Sequence, residues 1–549
     1  MDPTPVLEYV ARQLKRNISV DLIVLQQLIQ SMAGINPEVN YNDLQLQSLA
    51  GGGYLRTRVL EMFRDPRAEN SMETLKTLIY TLTKSGLAPQ LLVLIAQERQ
   101  TCVFRLDESA PLKVLGNLFD EVHVVFAQYL DLLKTGLGPE KCEEIIPSVG
   151  RLCLEFGLDP AVSWWISRDV IHNRIVRLES DNGEDVEMKD AEDASPKNAA
   201  EKKSWNLVLK KVMDEFRPVL PEEVWSKFSL SFYVTFWQLS VYDIFVPVEA
   251  YKLADASAVA AIRDLDRNRS DISASGMARR RERKEEHMAT LKVVSEAMKT
   301  HIRDYNRVKK RLTYEKDHWF ADEHSDQREV TNSFIQYCLF PRLMLSPNDA
   351  SFCSKIIREL HRLATPKFHT IGVYDAIFGK SLGTIIFTST HREADNFGRF
   401  LKDILTDLHA WHADKELYEK EAHGTWKDNN GVWREGKLLG FNVKGSQFDW
   451  EDFRKILYKW HKTIHNAVKN CLSSKEYMHI RNTVVILKHV VQFFPAVDWI
   501  GRTVVEKVDE ISKNEKREDL KIASSTLLGL LRKKEKEWVV VAGFQKVSI

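Results

Sequence analysis

Apolar residues recur at intervals of three or four along most of the 549-residue chain, and this spacing predicts α-helices. In residues 20–33 the apolar positions stop at Gly34, a residue type that suits the end of a helix. Comparable segments follow at 71–86, 90–97, 114–133 and 139–167. Consecutive helical hairpins of this kind predict an all-α protein built as an extended, α-solenoid-like helical-repeat array.

Two stretches depart from this pattern before residue 250. Residues 179–193 hold eight acidic side chains against one lysine, so we predict a disordered acidic linker over 179–203, with a basic partner as the alternative role. Residues 225–247 are aromatic and apolar on most sides, which predicts one central helix that Pro247 ends. An aromatic run could instead stack nucleic-acid bases, but the lack of interleaved lysines and arginines favours a core helix.

Residues 277–319 predict one long helix whose apolar positions recur about every 3.5 residues. Such a helix lies across other helices or forms a short coiled coil, internally or with another chain. Residues 277–317 contain thirteen Lys and Arg against seven Asp and Glu, a local net charge of +6. The helix begins with a basic cluster that could contact RNA phosphates or form a solvated face: Arg279, Arg280, Arg281, Arg283 and Lys284.

These patterns divide the chain into seven predicted segments. They are a helical hairpin array (1–178), the acidic linker (179–203), an apolar helical segment (204–265), the long basic helix (266–325), a helical repeat region (326–423), a Gly-rich insert (424–447) and a C-terminal helical repeat region (448–549).

Overall composition adds few functional clues. The formal net charge is +1, so any attraction to nucleic acid or membrane must be local. The six cysteines show no C-x-x-C spacing, which argues against a zinc ribbon and predicts buried thiols in a reducing compartment. Without an apolar run of roughly 18 residues or a signal-peptide pattern at the N-terminus, we expect a soluble intracellular chain with no membrane contact.

Two motifs suggest enzymatic or metal chemistry and neither is complete. Gly379-Lys380-Ser381 ends like a phosphate-binding loop and also fits a nucleophile elbow, but both motifs need a preceding strand. We therefore interpret it as a helix–turn–helix junction. His409 and His412 are three residues apart without a further predicted ligand, which favours structural histidines beside a packed stripe over zinc. The sequence thus predicts no catalytic residue, cofactor or metal ligand.

Several long strings resemble one known family. They include "FIQYCLFPRLMLSPNDASFCSKIIRELHRLATPKF" (334–368) and "EADNFGRFLKDILTDLHAWHADKELYEKEA" (393–422). Further matching strings lie at 21–34, 232–247, 452–461 and 476–482. Together they span about residues 20–530 in order, and the chain resembles a central-to-late fragment of the THO complex subunit 2 family.

This resemblance implies a non-enzymatic scaffold of a large nuclear hetero-oligomer that couples transcription to mRNA packaging and export. The expected partners are other THO complex subunits and a DEAD-box RNA-dependent ATPase. Part of the family also resembles the helical middle domain of translation-initiation scaffolds, so a middle-domain-like region is expected here. The alternative function is direct RNA binding through the basic helix around residues 279–311.

Overall fold

The computed structural model describes residues 2–16, 22–37, 39–64, 71–107, 109–181, 204–267, 273–320, 326–427, 433–434, 436, 438–443 and 446–544. Across these ranges the elements are almost entirely α-helical, which confirms the predicted all-α class. Most of the predicted acidic linker, from 182 to 203, lies outside the described residues.

The N-terminal helices form an array with its own apolar core, which extends from Leu7 to Ile166. Gly86, with φ of 68°, makes the turn between α5 and α6 that the sequence predicts. The helices are α1 (Thr4–Lys15), α2 (Leu22–Ala33), α3 (Asp43–Leu49), α4 (Gly53–Met62), α5 (Ser71–Lys84), α6 (Leu87–Thr101), α7 (Leu112–Gly136), α8 (Pro139–Ile145), α9 (Val149–Leu154) and α10 (Pro160–Asp181).

The next group of helices corrects one prediction, because residues 225–247 do not form a single helix. Ser229 caps a new helix by accepting a hydrogen bond from the Phe232 amide at 3.1 Å. Ser240 and Asp243 form a capping box that starts another. These caps divide an apolar run whose periodicity alone suggests continuity. The helices are α11 (Ser204–Phe216), α12 (Glu222–Trp225), α13 (Leu230–Gln238), α14 (Val241–Ile244), α15 (Val248–Arg267) and α16 (Ala274–Glu315).

The remaining helices share a second, larger core that extends to Phe544 and also takes in α10 to α14. Helix α22 packs against both α19 and α25 at its centre. The helices are α17 (Gln327–Phe334), α18 (Phe340–Leu343), α19 (Pro347–Arg362), α20 (Thr370–Ile377), α21 (Leu382–Thr388), α22 (His391–Ala413), α23 (Lys415–Ala422), α24 (Trp450–Leu472), α25 (Tyr477–Val490), α26 (Asp498–Asn514) and α27 (Glu518–Lys534). A π-helical turn (Ile335–Leu339) connects α17 and α18.

The described part of the Gly-rich insert contains two short antiparallel strand pairs. Strand β1 (Trp426–Lys427) pairs with β2 (Trp433–Arg434), and β3 (Asn442–Val443) pairs with β4 (Ser446–Gln447). The Ile371 amide donates to the Gly440 carbonyl at 3.1 Å, so the insert is tied to the start of α20.

One contact between the two arrays is made by α7, which meets α22 and α25. The Arg392 amide donates to the Asp120 carboxylate at 3.2 Å across this contact.

All six cysteines are free thiols; five are buried and Cys153 is half-buried, in line with the predicted buried thiols.

Among the described helices, no single one has the length and apolar composition of a membrane span. One helix pair in the described part of the chain, Met72–Lys84 and Leu87–Arg105, meets both criteria jointly, with an 88° bend between its helices.

Candidate functional site

Helices α15 and α16 form an antiparallel hairpin that contains the predicted basic cluster. Helix α15 has 20 residues and α16 has 42, so α16 is about 63 Å long and roughly twice the length of α15. Ser273 caps α16 by accepting from the Gly276 amide at 3.0 Å. Two contacts set the hairpin register: Lys284 Nζ lies 2.7 Å from Asp266 Oδ1 near the connection, and Tyr251 Oη lies 3.1 Å from His301 Nδ1 farther along.

A chain of buried hydrogen bonds fixes the base of the hairpin. His301 Nε2 donates to the Tyr242 carbonyl oxygen at 2.8 Å, because a carbonyl can only accept. The other ring nitrogen therefore accepts from the Tyr251 hydroxyl, which itself accepts from the Gly52 amide at 2.8 Å. Burial lowers the pKa of His301, and this network needs the neutral ring. The Tyr242 ring stacks on His301 with centroids 3.8 Å apart.

The C-terminal end of α16 is anchored in the second, larger core. Leu312 is buried there, and Arg311 bonds Glu315 at 2.9 Å and the Gln238 side chain at 3.1 Å. Just beyond the helix, the Lys316 ammonium donates to the Leu363 carbonyl at 2.6 Å. One end of α16 is thus held by both apolar and polar contacts.

The predicted basic cluster lies at the opposite end, near the hairpin connection, which we call the tip (residues 263–267 and 273–288). Arg280 and Lys284 are half-buried, whereas Arg279, Arg281 and Arg283 are exposed. Arg281 pairs with Glu285 at 3.0 Å, and Lys284 pairs with Asp266. All five cations share fewer than two helical turns, but at least two of them are partly neutralised by these acidic neighbours.

The H-x-x-H pair lies where the sequence places it, at the edge of the α22 stripe. His412 stacks on Phe544 with centroids 4.4 Å apart, and its Nε2 lies 3.2 Å from the Gly543 carbonyl. His409 packs against the Phe493 ring. His412 therefore contacts the C-terminal segment and His409 the segment that follows α25, and burial lowers the pKa of each histidine.

Residues 379–381 confirm their interpretation as a helix–turn–helix junction. Helix α20 ends at Ile377 and α21 begins at Leu382, so Gly379-Lys380-Ser381 forms the turn between two helices. Neither a phosphate-binding loop nor a nucleophile elbow has this context.

Sequence reasoning missed a buried ionic cluster that joins the two arrays. Asp349 Oδ1 accepts from Arg342 at 2.9 Å and from Arg168 at 2.7 Å, and the two arginines come from α18 and α10. Both cations hold the pKa of Asp349 below its usual value despite burial. The sequence pattern does not reveal this cluster, because Arg168 lies far from Asp349 along the chain.

Comparison with known proteins identifies similar sequences over nearly the whole chain. The family model described as "Tho2: Transcription factor/nuclear export subunit protein 2" matches residues 225–531, which include the complete α15–α16 hairpin. The chain is 30% identical to THO complex subunit 2 of Homo sapiens over 540 residues, 97% of this chain and 33% of the relative. The THO complex subunit 2 of Arabidopsis thaliana is also 30% identical, over 98% of this chain and 30% of the relative.

A more distant relative gives the same result. THO complex subunit 2 of Saccharomyces cerevisiae is 25% identical over 98% of this chain and 28% of the relative. The chain thus spans about a third of the length of the curated relatives it matches. These matches confirm the resemblance inferred from the sequence strings.

Proposed function

This chain belongs to the Tho2 family, and from that premise we propose that it is a non-enzymatic helical scaffold within a nuclear THO complex. The observation that carries the proposal is the match to THO complex subunit 2 relatives over two helical arrays joined by the buried Arg168–Asp349–Arg342 cluster. Packed helices with extended outer faces offer large surfaces to partners, as helical arrays in general do.

The proposed partners are other THO complex subunits and a DEAD-box RNA-dependent ATPase. In this role the chain couples transcription to mRNA packaging and export by holding these proteins together. The names of the relatives support membership of a multi-subunit complex, and the family description includes nuclear export.

Two measurements on the purified chain test this function. Mixed with the other THO complex subunits, it should elute with them as one assembly in size-exclusion chromatography. Added to the DEAD-box ATPase, it should change RNA-stimulated ATP hydrolysis at both low and moderate salt. If neither elution nor turnover changes, this part of the family is not the scaffold for those partners.

The second proposed function is direct RNA binding by the basic cluster at the tip. It is favoured by five cations within fewer than two turns at a projecting helix end. Reversing all five to glutamate should weaken RNA binding and flatten its salt dependence by about 0.7 in log–log slope for each lost phosphate contact.

The matched control reverses five exposed cations on or just after α26 and α27: Arg502, Lys513, Arg532, Lys533 and Lys536. Equal weakening by both sets would mean nonspecific attraction to net charge, and no weakening by the tip set would refute this function.

A further inference from the structure

A second row of heptad positions runs along α16 beside the row that α15 covers. Met288, Leu291, Ser295, Met298 and Ile302 alternate in steps of three and four, as in a coiled-coil seam, and four of these five residues are apolar. Leu291 and Met298 are half-buried, but Ile302 is exposed and Met288 is 50% exposed. Met277, 54% exposed, continues the same flank toward the tip. Helix α15 therefore leaves one long edge of the α16 apolar surface uncovered.

Helix α15 contributes apolar residues to the same side of the hairpin. Asp266 reaches Lys284 on this flank, and together with the Tyr251–His301 contact this ion pair sets the register. That register places Ile262 beside Met288, Val259 beside Leu291 and Val248 beside Ile302. Val259 and Ile262 are half-buried, and Val248 is exposed. We call this two-helix surface, from Met277 to Ile302 with its α15 neighbours, the seam; it is about 37 Å long.

The opposite flank of the hairpin differs because the array covers its base. Asp304 there accepts from the Tyr242 hydroxyl at 2.9 Å, and Ala297, like Met298 of the seam, packs against a small cluster that includes Leu55 of α4. Farther out, its exposed large apolar residues are Leu253 and Val293. Among the described residues of the hairpin, the seam therefore has the longer row of apolar positions, interrupted near its middle by the exposed Ser295 and, on α15, by the exposed Asp255.

The border of the seam on α16 is cationic. On a helical wheel Arg281, Lys292, Lys299 and Arg303 lie just outside the apolar row, and all four are exposed. Arg281 and Lys299 are paired with Glu285 and Glu296. Among the described residues, Lys292 and Arg303 form no ion pair. A ligand with acidic groups along one edge would complement this border.

The seam chemistry distinguishes a protein helix from nucleic acid. Single-stranded nucleic acid binds where bases can stack on exposed aromatic rings, whereas the exposed apolar members of the seam are methionine and aliphatic side chains. Alternating steps of three and four accept side chains of a third helix packed into the groove between two others.

We propose that the seam binds an amphipathic helix of another protein, with apolar residues at alternating three- and four-residue steps and acidic residues alongside Lys292 and Arg303. The bound helix has about 25 residues, matching the seam, and completes a three-helix coiled coil with α15 and α16. This proposal rests on the scaffold function, because it specifies how one subunit of the assembly is held.

The test uses the chain assembled with co-expressed THO complex subunits. Met288 is replaced by the photo-crosslinking residue p-benzoylphenylalanine, and the adduct is mapped by mass spectrometry. The matched control carries the same replacement at Val293, which is 49% exposed on the opposite flank of the same helix. We expect an adduct from position 288 on an acidic heptad segment of one subunit, at least fivefold more abundant than from position 293.

A second pair of variants measures the energetic contribution. Met288→Glu should raise the dissociation constant of the crosslinked subunit about tenfold or more, and Val293→Glu should leave it unchanged. Both changes are at half-exposed sites, and circular dichroism checks that each variant folds.

The possible results separate two failures. If the wild-type chain assembles with no subunit, the scaffold function itself is wrong. If the assembly forms but position 288 crosslinks to RNA, to a second copy of the chain or to no protein, the seam proposal is overturned and the scaffold function stands. Equal effects of Met288→Glu and Val293→Glu would also overturn it.

Discussion

Helix α22 buries one face along its whole length, whereas α16 is held at one end and projects at the other. In α22 the buried stripe comprises Phe397, Phe400, Leu401, Ile404, Leu405, Leu408 and Trp411. In the 42 residues of α16 only Gly276, Val294, His301 and Leu312 are buried. Helix α22 is a structural element of the array because its apolar side chains pack against both α19 and α25. Most of the surface of α16, in contrast, is accessible to solvent and to partners.

The two helices also use polar residues differently. In α22, Asp395 forms a hydrogen bond with His489 Nε2 at 2.7 Å. This bond supplements an interface that apolar side chains already bury. At the base of α16, His301 and Arg311 supply much of the attachment themselves, through bonds to backbone and side chains of α13 and α14. A helix with few buried apolar residues therefore depends on a small number of polar contacts for its orientation.

The largest expected effect is a loss of packing in α22. Phe400→Ala removes a fully buried ring and should lower the free energy of unfolding by about 3–5 kcal/mol. Met288→Ala on α16 should change it by no more than about 0.5 kcal/mol, because this side chain is half-exposed. Urea unfolding followed by circular dichroism measures both. Similar losses for the two variants would show that α16 carries as much packing as α22.

A close approach of α22 to α25 gives the next effect. A Cβ atom at Gly398 would lie 2.8 Å from the His489 ring, so Gly398→Ala must displace that ring from its bond to Asp395. We expect a loss of about 1–3 kcal/mol from this overpacking. The control is Gly529→Ala in α27, where nothing lies within 4 Å of the new methyl group and helix propensity should add stability. If both variants lost stability, or both gained it, this explanation of the Gly398 position would be contradicted.

A smaller and local effect concerns the base of the hairpin. Because burial lowers the folded-state pKa of His301, its contribution is complete above about pH 6.5 and declines as the pH falls below that value. Amide hydrogen exchange in α15 and α16, corrected for intrinsic rates, should therefore accelerate at pH 5.5 relative to pH 7.5.

His301→Ala should accelerate the same amides at both pH values and remove the pH dependence, with α22 unaffected. His287→Gln, a change at the outer part of the same helix, is the control and should keep the wild-type profile. A pH response that persists in His301→Ala would assign it to another group.

The sequence identifies the apolar stripe of α22 and the heptad period of α16 because both are local patterns. It misses the breaks at Ser229 and Ser240, since capping by a serine within an apolar run leaves the helical period intact on both sides. It also misses the partnership of Arg168 with Asp349, which depends on how two distant helices meet. Similarly, the uncovered side of α16 follows from the α15 register, which the sequence of α16 does not contain.

We infer that the two arrays carry the fold and that the α15–α16 hairpin carries an interaction. Replacing residues 258–291 with a short Gly-Ser linker removes the tip and most of the seam but keeps the Tyr251–His301 contact at the base. Native mass spectrometry of the co-expressed THO complex then gives the subunit composition. We predict an assembly that lacks one subunit while the thermal unfolding midpoint of the chain stays within about 2 °C of the wild type. A complete assembly with wild-type stoichiometry and stability would contradict the claim.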